Sequence, residues 1–300
     1  MRPVLFGVPW PGGGVVAMPA YGTFLVLGML LAVVASRRHA GRLGLRPVEV
    51  FDLGLLLVAS GVVAAHLLHV VLRFDLYRSA TAGGTLLRIA TVWNGGLVYY
   101  GGLLGATAAL AVWARRRGVP VADAMDFVAP LGALGLASTR MGCFLNGCCF
   151  GRPSSLPWAV VYPPGSPAQS TQAAAGLVAA GARSLPIHPV QLYELAVAAV
   201  VFVWLWRRFP RRRFAGEIVA LFCVAYGLWR LVAETLRADA VGWAPGGSRW
   251  TTMQSWSVLL VLLGVAGYAW AARRARPPWT APRAAPLPAE PDRGHTPGSP

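Results

Sequence analysis

The sequence predicts an all-α integral membrane protein with about seven transmembrane helices. Of its 300 residues, 56% are hydrophobic and only 13% are charged, and its mean hydropathy is +0.54. Ordinary soluble domains contain about 25% charged residues. Apolar runs that are long enough, or nearly so, to cross about 30 Å of hydrocarbon as helices lie near residues 20–36, 50–72, 95–114, 123–143, 190–206, 215–236 and 255–272.

The distribution of arginine predicts the orientation. All 27 basic residues are arginines, and most of them follow the first, third, fifth and seventh runs. Because cytoplasmic loops are enriched in basic residues, the N-terminus is predicted to lie outside and the C-terminus in the cytoplasm. The net charge of +16 comes from these short clusters between apolar runs. This pattern indicates membrane topology, and no nucleic-acid partner is predicted.

One membrane domain, residues 1–276, is predicted to hold all seven spans. The remaining segment, residues 277–300, is rich in proline and is predicted to be a disordered cytoplasmic tail. Residues 1–18 are interrupted by proline and glycine and lack the basic start and apolar core of a cleavable signal peptide.

Two arginines lie inside the apolar runs, Arg140 in the fourth and Arg230 in the sixth. An arginine in mid-membrane costs roughly 2.5–3.5 kcal/mol on insertion scales, so such residues usually serve a function. Arg140 lies about 17 residues along a run that leads outward, or roughly 25 Å at about 1.5 Å per residue. Arg230 has a similar place in its own run. Both are therefore predicted in the outer half of the bilayer.

Further polar residues are predicted at the same level. Tyr226, Arg230 and Glu234 share one helix face, and His188, Gln191 and Glu194 occupy the first turns of the fifth run. An i,i+4 ion pair between Arg230 and Glu234 is one explanation. It leaves out Arg140, which has no acidic residue nearby in sequence. An anionic ligand is the other explanation, and lipid phosphate suits the planar fork of arginine.

Glycines and cysteines near these positions leave alternatives open. Gly95, Gly96, Gly101, Gly102, Gly105 and Gly147 allow either close approach of a lipid headgroup or tight helix packing. Cys143, Cys148 and Cys149 are interpreted mainly as small packing residues, so no metal or cofactor is predicted. A Cys143–Cys148 disulfide and a zinc site completed by His188 are the alternatives.

Five sequence motifs follow one another along the chain. They are Tyr21-Gly22; Trp93-Asn94-Gly95-Gly96 with Gly101-Gly102; Arg140 to Gly147 with Gly151-Arg152; His188 to Glu194; and Tyr226 to Arg230 with Glu234. From about residue 18 to residue 272 the chain resembles the prolipoprotein diacylglyceryl transferase family of bacteria. The resemblance implies a multi-pass enzyme of the bacterial inner membrane with its active site toward the outer, periplasmic leaflet.

The resemblance also implies a reaction and roles. The family moves the diacylglyceryl group of phosphatidylglycerol to the lipobox cysteine thiol of a prolipoprotein signal peptide, forming a thioether and releasing glycerol 1-phosphate. Arg140 would bind the headgroup, and Arg230 would stabilise the departing phosphate. The remaining substrate-binding positions would be Asn146, Gly151, Tyr21, Tyr226, Gln191, Glu194 and Glu234.

The chain departs from the family pattern at three positions. Tyr100 stands where the family commonly has a histidine that is often proposed as the base, Cys143 where asparagine is common, and Cys148 where glutamate is common. Tyr100 or His188 would then accept the proton of the thiol. These departures motivate a second hypothesis, a non-catalytic or differently specific relative that binds anionic lipid or signal peptide at the outer leaflet. A transporter or thiol-redox membrane protein is a third.

Overall fold

The computed structural model describes residues 4–10, 14–79, 81–92, 96, 98–238, 250–274 and 276–279. Within these ranges the regular secondary structure is helical except for one antiparallel pair of strands, β1 (Val4–Trp10) and β2 (Gly14–Pro19), and isolated bridges. The prediction of an all-α protein did not include this hairpin. Valines on both strands and the aromatic residues Phe6 and Trp10 on β1 favour extended backbone, which explains the difference.

The long helices coincide with the predicted apolar runs. They are α1 (Ala20–Ser36), α2 (Pro47–Leu72), α5 (Tyr99–Arg116), α6 (Val121–Asn146), α8 (Val190–Arg208), α9 (Glu217–Leu236) and α10 (Thr252–Arg274). Shorter helices fill the connections: α3 (Phe74–Tyr77), α4 (Ala82–Ala90) and α7 (Pro167–Ala174).

Five helices in the described ranges are long and apolar enough to cross a membrane, namely α2, α6, α8, α9 and α10. Helix α1 is a shorter apolar helix of 17 residues. Large apolar side chains are exposed along α2 and α10, including Leu67, Val71, Leu262 and Leu263. A lipid environment covers such surfaces, so the architecture is that of an integral membrane protein.

Helix α6 packs against α1, α8 and α9, while α2 pairs with α5 and α9 with α10. Small residues permit the close contacts. A Cβ atom on Gly28 would lie 2.9 Å from the Ser138 Cβ, and one on Gly101 would lie 2.6 Å from the Ala64 carbonyl oxygen. Gly101 therefore serves tight packing of α5 on α2, one of the two alternatives left open by the sequence.

A buried ionic cluster closes the end of α6 opposite to Arg140. Arg212 lies 2.8 Å from the Asp123 carboxylate and 3.4 Å from that of Asp126. The other Asp126 contacts are with backbone N–H groups at the start of α9. The Trp279 N–H donates to Asp123 over 3.0 Å, so residues 276–279, where the predicted tail begins, lie against the bundle. Residues 280–300 of that tail lie outside the described residues.

Candidate functional site

Four charged side chains from three helices form a continuous ionic chain. The Glu194 carboxylate on α8 lies 2.8 Å from Arg140 Nε on α6 and 2.8 Å from Arg230 Nη1 on α9. Arg230 Nη2 donates to Glu234 over 2.8 Å, and the Thr251 hydroxyl donates to the other Glu234 oxygen over 3.0 Å. Both carboxylate side chains are 1% exposed. The two positive and two negative charges therefore balance in a site with little water.

Glu194 corrects one inference drawn from the sequence. Arg140 has no acidic neighbour in sequence, but the packing of α8 on α6 brings Glu194 to it. An anionic ligand is therefore not required merely to neutralise Arg140. The i,i+4 ion pair between Arg230 and Glu234 was the other explanation, and the structure contains it.

The guanidinium groups of Arg140 and Arg230 differ in their hydrogen bonds. Arg230 uses both terminal nitrogens in hydrogen bonds to carboxylates. Arg140 Nε lies 2.8 Å from the Glu194 carboxylate, but its N–H is not aligned for a hydrogen bond. Among the described residues no hydrogen bond to Nη1 or Nη2 of Arg140 is present. Its side chain is 13% exposed, so the planar fork remains available to an anion.

The loop that follows α6 brings three cysteines together. Gly147 ends the helix in the left-handed conformation, with φ of 77°, which glycine adopts without strain. The Cys143, Cys148 and Cys149 sulfur atoms all lie within 4.8 Å of one another, and each is a free thiol. His188 does not join this group, so the described residues do not form the predicted alternative of three cysteines and one histidine.

Gln191 holds this loop in place. It is completely buried, and its Nε2 atom donates to the Cys148 carbonyl over 2.8 Å and to the Tyr162 hydroxyl over 3.2 Å. The Tyr162 hydroxyl in turn donates to the Phe144 carbonyl over 3.2 Å. Burial raises the pKa of the Tyr162 phenol above its ordinary value. Gln191 thus contacts the loop backbone, and sequence reasoning did not single out Tyr162.

Gly151 is needed for a close approach of three segments. Its N–H donates to the His188 carbonyl over 3.2 Å, and it forms a bridge with Arg237 at the end of α9. A Cβ atom at Gly151 would lie 2.5 Å from the His188 carbonyl oxygen and 2.7 Å from Val190 Cγ2. The glycine therefore allows the segment after the cysteines to contact the start of α8. His188 Nδ1 is buried without a hydrogen-bond partner in the described ranges.

The other site residues predicted from the sequence are Tyr226, Tyr21, Asn146 and Tyr100. Tyr226 stacks on Phe222, with ring centroids 5.6 Å apart, and lines a small apolar cleft that reaches Glu194. Tyr21 is 47% exposed and lies where α1 crosses α6. Asn146 is the last residue of α6. Tyr100 lies in the first turn of α5, but its side chain is outside the described part of the structure.

Two histidines with no partner predicted from the sequence fix the approach to α5. His66 faces the Gly96 carbonyl at 3.1 Å through Nδ1 and the Ile89 carbonyl at 2.8 Å through Nε2. His69 Nδ1 lies 2.9 Å from the Tyr77 hydroxyl. These contacts hold Gly96, which precedes the Tyr99-Tyr100 pair. Residues 93–95, the rest of that motif, lie outside the described residues.

Comparison with known proteins gives a consistent result. The family model described as prolipoprotein diacylglyceryl transferase matches residues 12–270. The chain is also similar to proteins named phosphatidylglycerol–prolipoprotein diacylglyceryl transferase, of which three are described here. The one from Nitratidesulfovibrio vulgaris is 35% identical over 82% of this chain and 87% of its own length. The Bordetella parapertussis protein is 34% identical over 87% and 93%, and that of Pseudomonas paraeruginosa is 39% identical over 72% and 75%.

Proposed function

The chain belongs to the prolipoprotein diacylglyceryl transferase family, and we propose that it transfers the diacylglyceryl group of phosphatidylglycerol to the lipobox cysteine thiol of prolipoproteins. The product is a thioether, and glycerol 1-phosphate leaves. The observation that carries this proposal is the buried Arg140–Glu194–Arg230–Glu234 chain, in which no described residue forms a hydrogen bond with the terminal nitrogens of Arg140.

Arg140 binds the phosphate of the lipid headgroup. Its Nη1 and Nη2 atoms form the planar fork that pairs with two phosphate oxygens, and Glu194 orients the guanidinium through Nε. Water is largely excluded at this depth, so each charge-assisted hydrogen bond is worth more than at a surface. Asn146, Gly151, Tyr21 and Tyr226 border the binding region.

Arg230 stabilises the phosphate as the bond to the glyceryl carbon breaks. Negative charge develops on the departing oxygen, and a fixed cation in a site of low polarity stabilises it without reorganisation. Glu194 and Glu234 hold Arg230 from two sides. We therefore propose that Glu194, Glu234 and Gln191 position these groups, and their contact with substrate stays a prediction from the sequence.

The thiol of the prolipoprotein must lose its proton before it attacks. Tyr100 and His188 are the proposed acceptors. His188 has a buried ring nitrogen without a hydrogen-bond partner in the described ranges, and it lies beside the segment that carries Cys149 and Gly151. A neutral histidine accepts a proton near neutral pH.

The proposed topology has seven spans, the N-terminus outside and the C-terminus in the cytoplasm of a bacterial inner membrane. Five helices are long and apolar enough to cross a membrane, and α1 and α5 are proposed as the other two spans. In this orientation the ends of α6 and α9, where Arg140 and Arg230 lie, face the outer leaflet. The partners are phosphatidylglycerol, membrane lipid and prolipoprotein signal peptides.

The proposal is tested with purified protein, phosphatidylglycerol and a synthetic signal peptide that contains a lipobox cysteine. We expect mass spectrometry to find the peptide heavier by one diacylglyceryl group in thioether linkage. A matched peptide with serine in place of cysteine should remain unchanged. Absence of product, under conditions in which the Pseudomonas relative makes it, contradicts the proposal.

A further inference from the structure

The three cysteines after Arg140 have the arrangement of a metal site. Their sulfur atoms lie within 4.8 Å of one another. Zn–S bonds of about 2.3 Å in tetrahedral geometry place neighbouring sulfurs about 3.8 Å apart. Cys143 comes from the last turn of α6, and Cys148 and Cys149 follow its Gly147 cap. A helix end and a tight turn thus bring the ligands close to the distances that a thiophilic ion requires.

The backbone at Cys149 supports a role beyond packing. Cys149 has φ of 58°, and it is the only residue other than glycine with positive φ in the described ranges. A residue with a Cβ atom in this conformation costs about 1–3 kcal/mol, and such strain is concentrated at functional sites. The strained residue is thus one of the three whose sulfur atoms lie together.

The charges around the cluster suit a zinc–thiolate group. One Zn²⁺ ion and three thiolates together carry one negative charge. Arg140 lies one helical turn before Cys143 on α6, and Arg237 forms a backbone bridge with Gly151, two residues after Cys149. Because a buried negative group needs compensation, these cations would stabilise the occupied site.

The site has an open position. Among the described residues no fourth histidine, cysteine or carboxylate ligand joins the three sulfurs. Cys143 is buried, but Cys148 and Cys149 are partly exposed. Structural zinc sites are closed by four protein ligands, whereas catalytic sites keep three and leave the fourth position to water or substrate. The geometry is that of the second class.

We propose that Cys143, Cys148 and Cys149 bind one Zn²⁺ ion whose fourth position takes the thiolate of the incoming prolipoprotein cysteine. The second half of this inference rests on the proposed function. A thiol bound to zinc is deprotonated outright, and metal coordination is one way to activate a nucleophile. It would supply the activation that the family commonly assigns to a histidine at the position of Tyr100.

The step balances without a redox change. The substrate thiol gives its proton to Tyr100 or His188 as it binds zinc. The sulfur electron pair then forms the bond to the glyceryl carbon, and the bond from that carbon to the phosphate oxygen breaks. The oxygen keeps that electron pair beside Arg230, and the neutral thioether, a weaker ligand than thiolate, leaves the metal.

Metal content tests the site independently of activity. We expect the protein purified without chelating resin to bind about one zinc ion per chain, and cobalt substitution to give the intense near-ultraviolet absorption of cobalt–thiolate bonds. Cys148→Ser and Cys149→Ser should lower zinc affinity at least about tenfold. Cys223→Ser, which changes a separate cysteine on α9, is the matched control and should retain full zinc binding.

Several results would overturn the site. The first is wild-type protein that takes up no zinc or cobalt. The second is a Cys148→Ser/Cys149→Ser double variant that binds zinc as tightly as wild type. The third is a thiol titration that finds a disulfide among the three cysteines. Thermal unfolding of each metal-free variant distinguishes loss of ligands from loss of fold. Copper(I) bound in place of zinc at physiological metal levels would also contradict the proposal.

Cobalt spectra and transfer rates together distinguish failure of this inference from failure of the proposed function. Adding the cysteine peptide to cobalt-substituted protein should shift the cobalt spectrum, whereas the serine peptide should not. Transfer at the wild-type rate after complete zinc removal would overturn the inference and leave the transferase function intact. Zinc binding with a peptide-dependent spectral shift but no diacylglyceryl transfer would support the site and contradict the proposed function.

Discussion

At the scale of single residues, Glu194 determines how both arginines are held. Its two oxygens lie 2.8 Å from Arg140 and 2.8 Å from Arg230, and its side chain is 1% exposed. The sequence identified Arg140 and Arg230 because charges within apolar runs are costly. It could not identify the partner of Arg140, because that contact depends on how α6 and α8 pack.

Glu194→Gln keeps the shape of this side chain and removes its charge. Arg230 would then keep only its ion pair with Glu234, and Arg140 would lose its ion pair with Glu194. Loss of one partner from a buried ion pair destabilises a protein by about 3–5 kcal/mol. We expect a lower unfolding temperature in detergent and a transfer rate at least about tenfold lower, equivalent to 1.4 kcal/mol or more.

Asp75→Asn is the matched control for Glu194→Gln. It removes a carboxylate from an ion pair with Arg73 whose side chains are 56% and 66% exposed, and such pairs contribute about 0–1 kcal/mol. Its unfolding temperature and transfer rate should stay close to wild type. Wild-type behaviour of Glu194→Gln itself would show that the ionic chain does not position the arginines.

At the scale of elements, the segment after α6 assembles the site. Residues 150–152 exchange backbone hydrogen bonds with residues 236–238 at the end of α9 and with His188 before α8. The long helices could be predicted because their apolar runs match the membrane thickness. The β hairpin, α4 and α7 could not, because they are short. The backbone bridges could not, because they join segments that are distant in sequence.

Gly151→Ala tests this assembly. The added Cβ atom would lie 2.5 Å from the His188 carbonyl oxygen, so the segments must separate. Overpacking of this kind costs about 1–3 kcal/mol. We expect a lower unfolding temperature and slower transfer. Gly132→Ala, within α6 and with no atom within 4 Å of the added Cβ, should behave as wild type, and equal behaviour of the two variants would contradict the account.

At the scale of the whole molecule, the two ends of α6 carry different charged clusters. The end at Val121 holds the Asp123–Arg212 network, and the end at Asn146 holds Arg140 and the cysteines. Composition was sufficient to predict a membrane protein, and ordered motifs were sufficient to predict its family. The orientation of the chain still rests on arginine distribution.

Reporter fusions test that orientation. Alkaline phosphatase, which is active only outside the cytoplasm, should be inactive when fused after residue 279, and a fluorescent protein at the same point should fluoresce. A phosphatase inserted between α7 and α8, in the loop near residue 180, should be active. The reverse pattern would place the Arg140 end of α6 in the cytoplasm and contradict the proposed active-site leaflet.

The central claim is that Arg140 binds the lipid phosphate. The most direct test measures the transfer rate of Arg140 variants as a function of phosphatidylglycerol concentration. Arg140→Lys keeps the charge but loses the fork, and charge-assisted hydrogen bonds are worth about 1.5–3 kcal/mol. We predict a KM for phosphatidylglycerol raised at least about tenfold in Arg140→Lys, no measurable transfer by Arg140→Ala, and wild-type kinetics for Arg183→Ala, which alters an exposed arginine. Wild-type KM and kcat in Arg140→Ala would contradict the account.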